Sequence, residues 1–393
     1  MLTILKQKSR QLKDVFFQID QTKQVVLGFD EFCQAKTSKK ALVSYLVSPL
    51  LPLNHYRNRA MFSNAGIAKC IPQALNELGY VVDIISYDNV KWRPAENYDL
   101  FIGHGGINFE SISRQLPDKT IQIYFSTGIY WKESNIREAR RIYDLALRRG
   151  YLIAPDRVIQ NSEEFANQAA DGIICLGNQE AVRTYKQFPC VIGINNASYP
   201  VTRLKSQTKD YEQGRKHFLF FSGGGNVHKG LDLLLEAFAG TDLHLHICQK
   251  IDPQFAKVYD YELRKCPNIH SFGFIPMRSA QFISLVNLCN WTILASCAEG
   301  QPGATIECMA YGLIPILPVS ANIDLEDFGF QFPDSSIDAI RSIIYQASEI
   351  PVDDCKKRSS LSIKISETEY TAERFKQNFK SAVQEIVARV RNR

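Results

Sequence analysis

Glu299 and Glu307 flank a Pro-Gly turn in the run EGQPGATIE, the stretch whose residue types and spacing most clearly point to chemistry. Pro302 and Gly303 end any preceding strand, and Ala304 then opens a helix whose first N–H groups lack partners within it. Glu307 is expected in that helix's first turn, and Glu299 on the strand-end loop before it. The segment thus offers an anion-binding helix N-terminus with a carboxylate on either side. A sugar nucleotide, with its diphosphate and its hydroxyls, needs that combination. Taken singly, each carboxylate is as readily a helix cap or a surface residue; the joint placement is what favours function.

A second candidate lies about 70 residues earlier in the chain, in the loop SGGGNVHKG. Gly223, Gly224 and Gly225 let the backbone approach a phosphate closely, and Lys229 adds positive charge. The strand HFLFFSGGG leads in and the helix KGLDLLLEAFAG leads out, where a doubly wound fold places its ligands. The loop matches neither the P-loop nor the GxGxxG spacing, so alone it is a weak signal. His228 beside Lys229 either touches phosphate or is an ordinary loop histidine.

The elements that must position these residues alternate along the chain. Strand-like runs at 41–47, 81–87, 98–106, 120–128, 170–178 and 191–198 are interleaved with helical spacing at 64–80, 135–150 and 181–187. After a polar stretch without periodicity at 199–216 the alternation restarts with strands near 217–225, 243–249, 268–275 and 291–297. This pattern predicts parallel sheets with helices on both faces. The length of 393 residues argues for two domains. We expect a first domain over 1–198, with 1–40 as an accessory segment, and a linker over 199–216. A second domain then spans 217–365, and a long amphipathic helix over 366–393 crosses back to the first. Fold class is α/β.

Bulk composition excludes several classes. With 45% hydrophobic and 22% charged residues and a net charge of +5, the chain reads as globular and too mildly basic for a nucleic-acid binder. Its ten cysteines form no CxxC pair and mostly sit in apolar runs, as in a reduced cytosolic protein. No run is long and apolar enough for a membrane span. The basic, leucine-containing N-terminus is a surface helix or an interfacial one. The cluster Arg137, Arg140, Arg141, Arg148 and Arg149 is a solvated helix face, or meets anionic lipid heads or a phosphorylated acceptor.

The block from Phe220 to Leu317 resembles the nucleotide-binding domain of glycosyltransferase family 4 (group 1), which has the GT-B fold of two Rossmann-like domains facing across a cleft. Two motifs carry the resemblance: the glycine loop with KGLDLLLEAF, and E-x7-E followed by AYGLIPIL. NAGIAKCIPQALNELGYVVDII resembles the acceptor-side domain more loosely. The resemblance implies transfer of a hexosyl unit from a nucleoside diphosphate sugar, a co-substrate and not a cofactor, to a hydroxyl acceptor. It further implies retention of anomeric configuration and no metal, and no D-x-D triplet follows an apolar strand. Glu307 would bind the ribose, Glu299 the donor sugar and Lys229 the leaving diphosphate. The donor would also be bound by the stretch Gln301, Pro302, Gly303 and Ala304, through the amides around it. A lipid-linked acceptor and peripheral contact with the inner membrane face are compatible with the resemblance.

The sequence departs from the family pattern twice. Gly224 stands where an Arg usually precedes the Lys, and Ser126 and Thr127 stand where a His usually ends the strand. His104, in GHGG on the preceding strand, is the substitute we expect on the cleft, with a plain hydrogen-bonding role as the other reading. Ser126, Thr127, Tyr130 and Trp131, with 54–66, are the acceptor-side candidates, the aromatic pair being equally readable as core. These departures keep two alternatives in view: a non-catalytic sugar-nucleotide-binding protein, and an epimerase of the same fold.

Overall fold

A computed structural model describes residues 18–20, 25–31, 39–50, 64–198 and 209–392. The N-terminal helix expected before residue 17, most of the 54–66 stretch and residues 199–208 of the expected linker lie outside the described residues.

The first sheet has eight strands in the order β1-β2-β4-β3-β5-β6-β7-β8. These are β1 Gln18–Asp20, β2 Val25–Phe29, β3 Lys40–Tyr45, β4 Val81–Ser86, β5 Leu100–Gly103, β6 Ile121–Ser126, β7 Gly172–Leu176 and β8 Val191–Ile194. Strands β3 to β8 pair in parallel, while β1 and β2 add an antiparallel edge that the alternation did not foretell. The second sheet is wholly parallel, in the order β11-β10-β9-β12-β13-β14. Its strands are β9 His217–Phe221, β10 His244–Cys248, β11 Ile269–Ser271, β12 Trp291–Ile293, β13 Ile314–Pro318 and β14 Phe330–Phe332. Runs such as LFIG in β5 and GIICL in β7 are buried throughout, because helices cover both faces of a parallel sheet.

In each sheet the winding direction reverses beside the first parallel strand. β4 lies on one side of β3 and β5 on the other; likewise β10 and β12 flank β9. Such switch points leave a crevice at the strands' carboxyl ends. His104 follows β5, the glycine loop follows β9, and Glu299 lies downstream of β12, so the candidate residues cluster there by topology.

Helices α1 Asn64–Glu77, α2 Gly106–Ser113, α3 Trp131–Arg149, α4 Glu164–Ala169 and α5 Gln179–Arg183 belong to the first half of the chain. The second half carries α6 Tyr211–Gly214, α7 Leu231–Phe238, α8 Pro253–Val258, α9 Asp260–Lys265, α10 Ala280–Leu288, α11 Gly303–Ala310, α12 Ile337–Glu349, α13 Val352–Thr368 and α14 Ala372–Arg391. Residues 209–216, read as linker, include α6, capped by the Asp210 side chain and bonded to the second domain through Asn290 Nδ2 and the Tyr211 carbonyl. The last helix is two: α13 ends at Thr368, and Thr371 caps α14. Phe375, Phe379 and Ile386 of α14 then pack with Val43, Ile123 and Ile174 of the first domain.

Helix α3 is the main departure from the reading of its arginines. Ile142 and Leu145 pack into the core of the second domain with Leu231 and Leu235. Arg141 is buried and donates to the Ala295 carbonyl at 2.9 Å. Arg148 reaches Asp232 at 2.6 Å and Glu236 at 3.3 Å; Arg149 reaches Glu236 at 3.1 Å and Glu262 at 2.5 Å. These three arginines are therefore neither a solvated face nor free for lipid heads. Asp232 and Glu236 sit one helical turn apart on α7, so one face of that helix meets the arginine face of α3. Arg137 pairs within its own helix with Glu133.

Candidate active site

The glycine loop is fastened to the segment after β12. Ala295 donates its N–H to the Lys229 carbonyl at 3.3 Å and Cys297 its N–H to the His228 carbonyl at 2.9 Å. That alignment delivers Glu299 to Lys229, whose Nζ lies 2.5 Å from Oε1, with both side chains about nine-tenths buried (12% and 9% exposed). Burial pushes the Glu299 carboxyl up, but the charges of Lys229 and then His228 outweigh it and hold the group below the usual carboxylate range. The pair is thus a buried ion pair beyond the end of β12; its acid, and not Lys229 or Gly223 to Gly225, is among the residues lining the cavity between the domains.

A cavity of about 220 Å³ lies between the domains. Glu299, Gly300, Ala298 and His228 line it from the second domain; His104, Ser126, Thr127, Gly128, Arg157 and Glu163 line it from the first. The domains touch at its floor, where a Cβ on Gly300 would come within 2.4 Å of the Thr127 carbonyl oxygen. His104 meets the Phe125 carbonyl through Nδ1 at 2.9 Å. A carbonyl only accepts, so Nδ1 carries the proton and Nε2 is left as an acceptor; burial lowers the imidazole's affinity for a second proton. Ser126 is engaged locally, accepting from the Tyr185 hydroxyl at 2.7 Å and donating to the Gly128 carbonyl at 3.0 Å.

Several candidates are placed otherwise than expected. Tyr130 is buried as the residue capping α3, its hydroxyl donating to Glu164 at 2.6 Å and its ring against Tyr185 and Phe188. Trp131 packs beside it. Neither lines the cavity, so the aromatic pair is not an acceptor platform there: the cluster beneath α3 absorbs both rings. Pro302 and not Gly303 precedes the helix, which makes Glu307 its fifth residue, one residue deeper than expected and just past the first turn. Glu307 is fully buried and lies beneath Arg278, whose Nη2 is 3.1 and 3.3 Å from its two oxygens. It is not among the residues lining the cavity. Gln301 is a strut between domains: Oε1 accepts from the Asn196 N–H at 2.7 Å, and Nε2 donates to Asn195 at 2.9 Å and to the Asn322 carbonyl at 2.8 Å. For donor binding that leaves its backbone, with those of Gly303 and Ala304.

Sequence reading missed Glu138, Arg157, Glu163 and Arg278. None stands in a recognisable motif, and each matters only through what the fold sets beside it. Glu163 is buried at the cavity wall, where burial lifts its carboxyl to about 7 and the Tyr124 hydroxyl bond restrains the rise. Among the described residues, no group of three or more His, Cys, Asp or Glu is arranged to hold a metal ion.

His228 links the two halves electrostatically. Nε2 donates to the Ala298 carbonyl at 2.7 Å, and Nδ1 faces Glu138 at 3.3 Å and the Cys297 sulfur at 3.7 Å. Burial disfavours its charge, yet the contacts with Cys297 and Glu138, and the field of Glu299, raise the imidazole to about 9. A group whose folded affinity for a proton exceeds its unfolded one contributes stability in full below the unfolded value of about 6.5. That contribution is lost as pH rises through about 9. Chemical denaturation across this range should show stability falling by a few kcal/mol in the wild type, and a nearly flat profile in His228→Asn; parallel profiles would refute the charged imidazole.

No protein-family model matches the chain, and no curated protein matches it by sequence. Solved structures do match by shape. Sucrose-phosphate synthase from Thermosynechococcus elongatus superposes with a TM-score of 0.62 at 14% identity, over 89% of this chain and 99% of that one. HepE from Anabaena, in complex with UDP-glucose, gives 0.57 at 13% identity, over 88% and 99%. TarM gives 0.53 at 14% identity over 72% of this chain, which spans only 54% of TarM. The architecture is accordingly that of GT-B: two α/β domains with largely parallel sheets facing across a cleft.

Proposed function

We propose that this protein is a glycosyltransferase moving a hexosyl unit from a nucleoside diphosphate sugar to a hydroxyl acceptor in the making of a glycan, lipid-linked or polysaccharide precursor. The observation that carries the reading is the Lys229–Glu299 ion pair, set where the switch points of two facing domains meet, with His104 across the cavity. The donor's diphosphate would lie along the amides of Gly223 to Gly225 with Lys229 neutralising it. Glu299 would then turn its carboxylate to the sugar hydroxyls. Charge grows on the diphosphate as the glycosidic bond breaks, and a fixed ammonium in a site poor in water stabilises that change more than it stabilises the bound donor. His104, neutral with Nε2 accepting, suits a hydrogen bond from a sugar or acceptor hydroxyl.

Glu307 keeps its expected role at the ribose in this reading, which requires Arg278 to share or leave its carboxylate. Retention of configuration and independence of metal belong to the same proposal, and so does family 4 membership. Lys229 and the glycine amides offer the positive field that a divalent ion supplies elsewhere. A lipid-linked acceptor would bring the protein to the inner face of a membrane; no helix among the described residues is long and apolar enough to cross one.

The test is release of nucleoside diphosphate from a panel of sugar nucleotides, first without acceptor and then with candidate glycans. UDP-glucose heads the panel because the similar HepE fold holds it. Slow hydrolysis of one donor, accelerated by an acceptor, is the expected result. Neither release nor thermal stabilisation by any sugar nucleotide would sink the reading.

A further inference from the structure

Opposite the glycine loop stands a cation whose charge helps hold Glu299 ionised but whose donors have no partner among the described residues. Arg157 follows α3 in the first domain, and its main chain is held firmly. The N–H groups of Asp156 and Arg157 donate to Glu138 Oε1 at 3.0 and 2.8 Å, while Oε2 faces His228 at 3.3 Å. Its side chain is exposed and lines the interdomain cavity with Glu299 and His228. Among the described residues its guanidinium makes no hydrogen bond or ion pair. Arg141, Arg148, Arg149 and Arg278 are by contrast each bonded to a carbonyl or carboxylate.

The glycine loop is shaped around this side chain. Gly225 has φ +85°, and a Cβ there would fall 2.6 Å from Arg157 Cγ and 3.0 Å from Cδ. Any other residue at this position would push the arginine stem aside as well as strain the backbone. Gly223 and Gly224, by contrast, have nothing within 4 Å of where a Cβ would stand, so the loop's rim is open beside the arginine. Open amides on one side and an uncommitted fork of donors on the other define a place for an anion with several acceptor oxygens.

We propose that Arg157 clamps the diphosphate of the donor from the first domain, while Lys229 and the glycine amides hold it from the second. This rests on the reading of the cleft as a nucleoside diphosphate sugar site, and it names which side chain recognises the phosphates. Its consequence is that the donor's phosphates join the domains, so an occupied cleft is held closed by its own ligand.

Titration calorimetry of the full chain with UDP, ADP and GDP, each against its nucleoside, tests this. Wild type should bind one diphosphate more tightly than its nucleoside. Arg157→Ala should weaken that diphosphate by about 10- to 100-fold, leave the nucleoside unchanged and flatten the dependence on salt. Arg157→Lys should recover part of the loss, and adding Gly224→Arg to Arg157→Ala should recover more, since that position has room. Diphosphate affinity unchanged in Arg157→Ala overturns the clamp and leaves the donor site standing. A wild type that binds no nucleoside diphosphate overturns both, and shows this before any variant is made.

Discussion

Glu299→Gln is expected to lower nucleoside diphosphate release from the preferred donor by about 100- to 1000-fold, the size of loss seen when one electrostatic partner of a transition state is removed. The change keeps the side chain's shape and removes its charge. In the wild type the carboxylate lies 2.5 Å from Lys229 Nζ, so the lysine holds the acid that lines the cavity. Without the charge, Lys229 binds the ground-state diphosphate at least as well, and the deficit falls on kcat and not on KM. Loss of one member of a nine-tenths-buried pair also costs stability, so the measurement needs a control for unfolding. Glu299→Gln with Lys229→Met removes both charges; it should recover melting temperature and remain inactive. Turnover like the wild type's in Glu299→Gln would remove Glu299 from the chemistry.

Arg148→Ala should be the most damaging change away from the cavity, costing on the order of 3–5 kcal/mol, as expected when a buried charge loses its partner. Asp232 is fully buried and Arg148 Nη2 is 2.6 Å away, with its other oxygen unpartnered among the described residues. Burial already raises the Asp232 carboxyl, with Arg141 and then Arg148 opposing that rise. Removing Arg148 raises it further, so the folded state then gains stability as pH falls and the acid takes up a proton. Urea denaturation should show the deficit of Arg148→Ala largest near neutral pH and smaller at about pH 5. Asp232→Asn in the same background should restore part of the loss. Equal stability of variant and wild type at neutral pH would mean the contact contributes nothing. The same variant loosens the seam between α3 and α7, which sets how the two halves of the cleft face each other.

How much of this was legible beforehand depended on range. Most strands of both sheets were readable because short apolar runs, broken by helices with period 3.6, are local properties of the chain; the three-residue β14 was not foreseen. Nor was the β1–β2 edge, since short strands flanking a loop carry no such pattern. The glycine loop and the Glu299 segment were legible as chemistry, and the order of strands explains why they converge: β9 and β12 are neighbours though about 70 residues separate their ends. The fate of single side chains was less accessible. Tyr130 and Trp131 followed a strand end as an acceptor platform would, but the cap of α3 turned them into an aromatic cluster with Tyr185. Gln301 had the position of a donor contact, yet its amide bridges Asn195, Asn196 and Asn322.

The amino-acid order by itself determined two units of alternating strand and helix, and a glycine-rich turn and a pair of acids within the second of them. Tertiary structure alone decided which charges meet. Arg148 and Asp232 are 84 positions apart, and His228 and Glu138 are 90 apart. Nothing in either neighbourhood marks one for the other, because a helix's outward face looks the same in sequence whether water or another domain covers it. Docking of the domains removes that water, and the lower dielectric then turns ordinary surface residues into buried pairs.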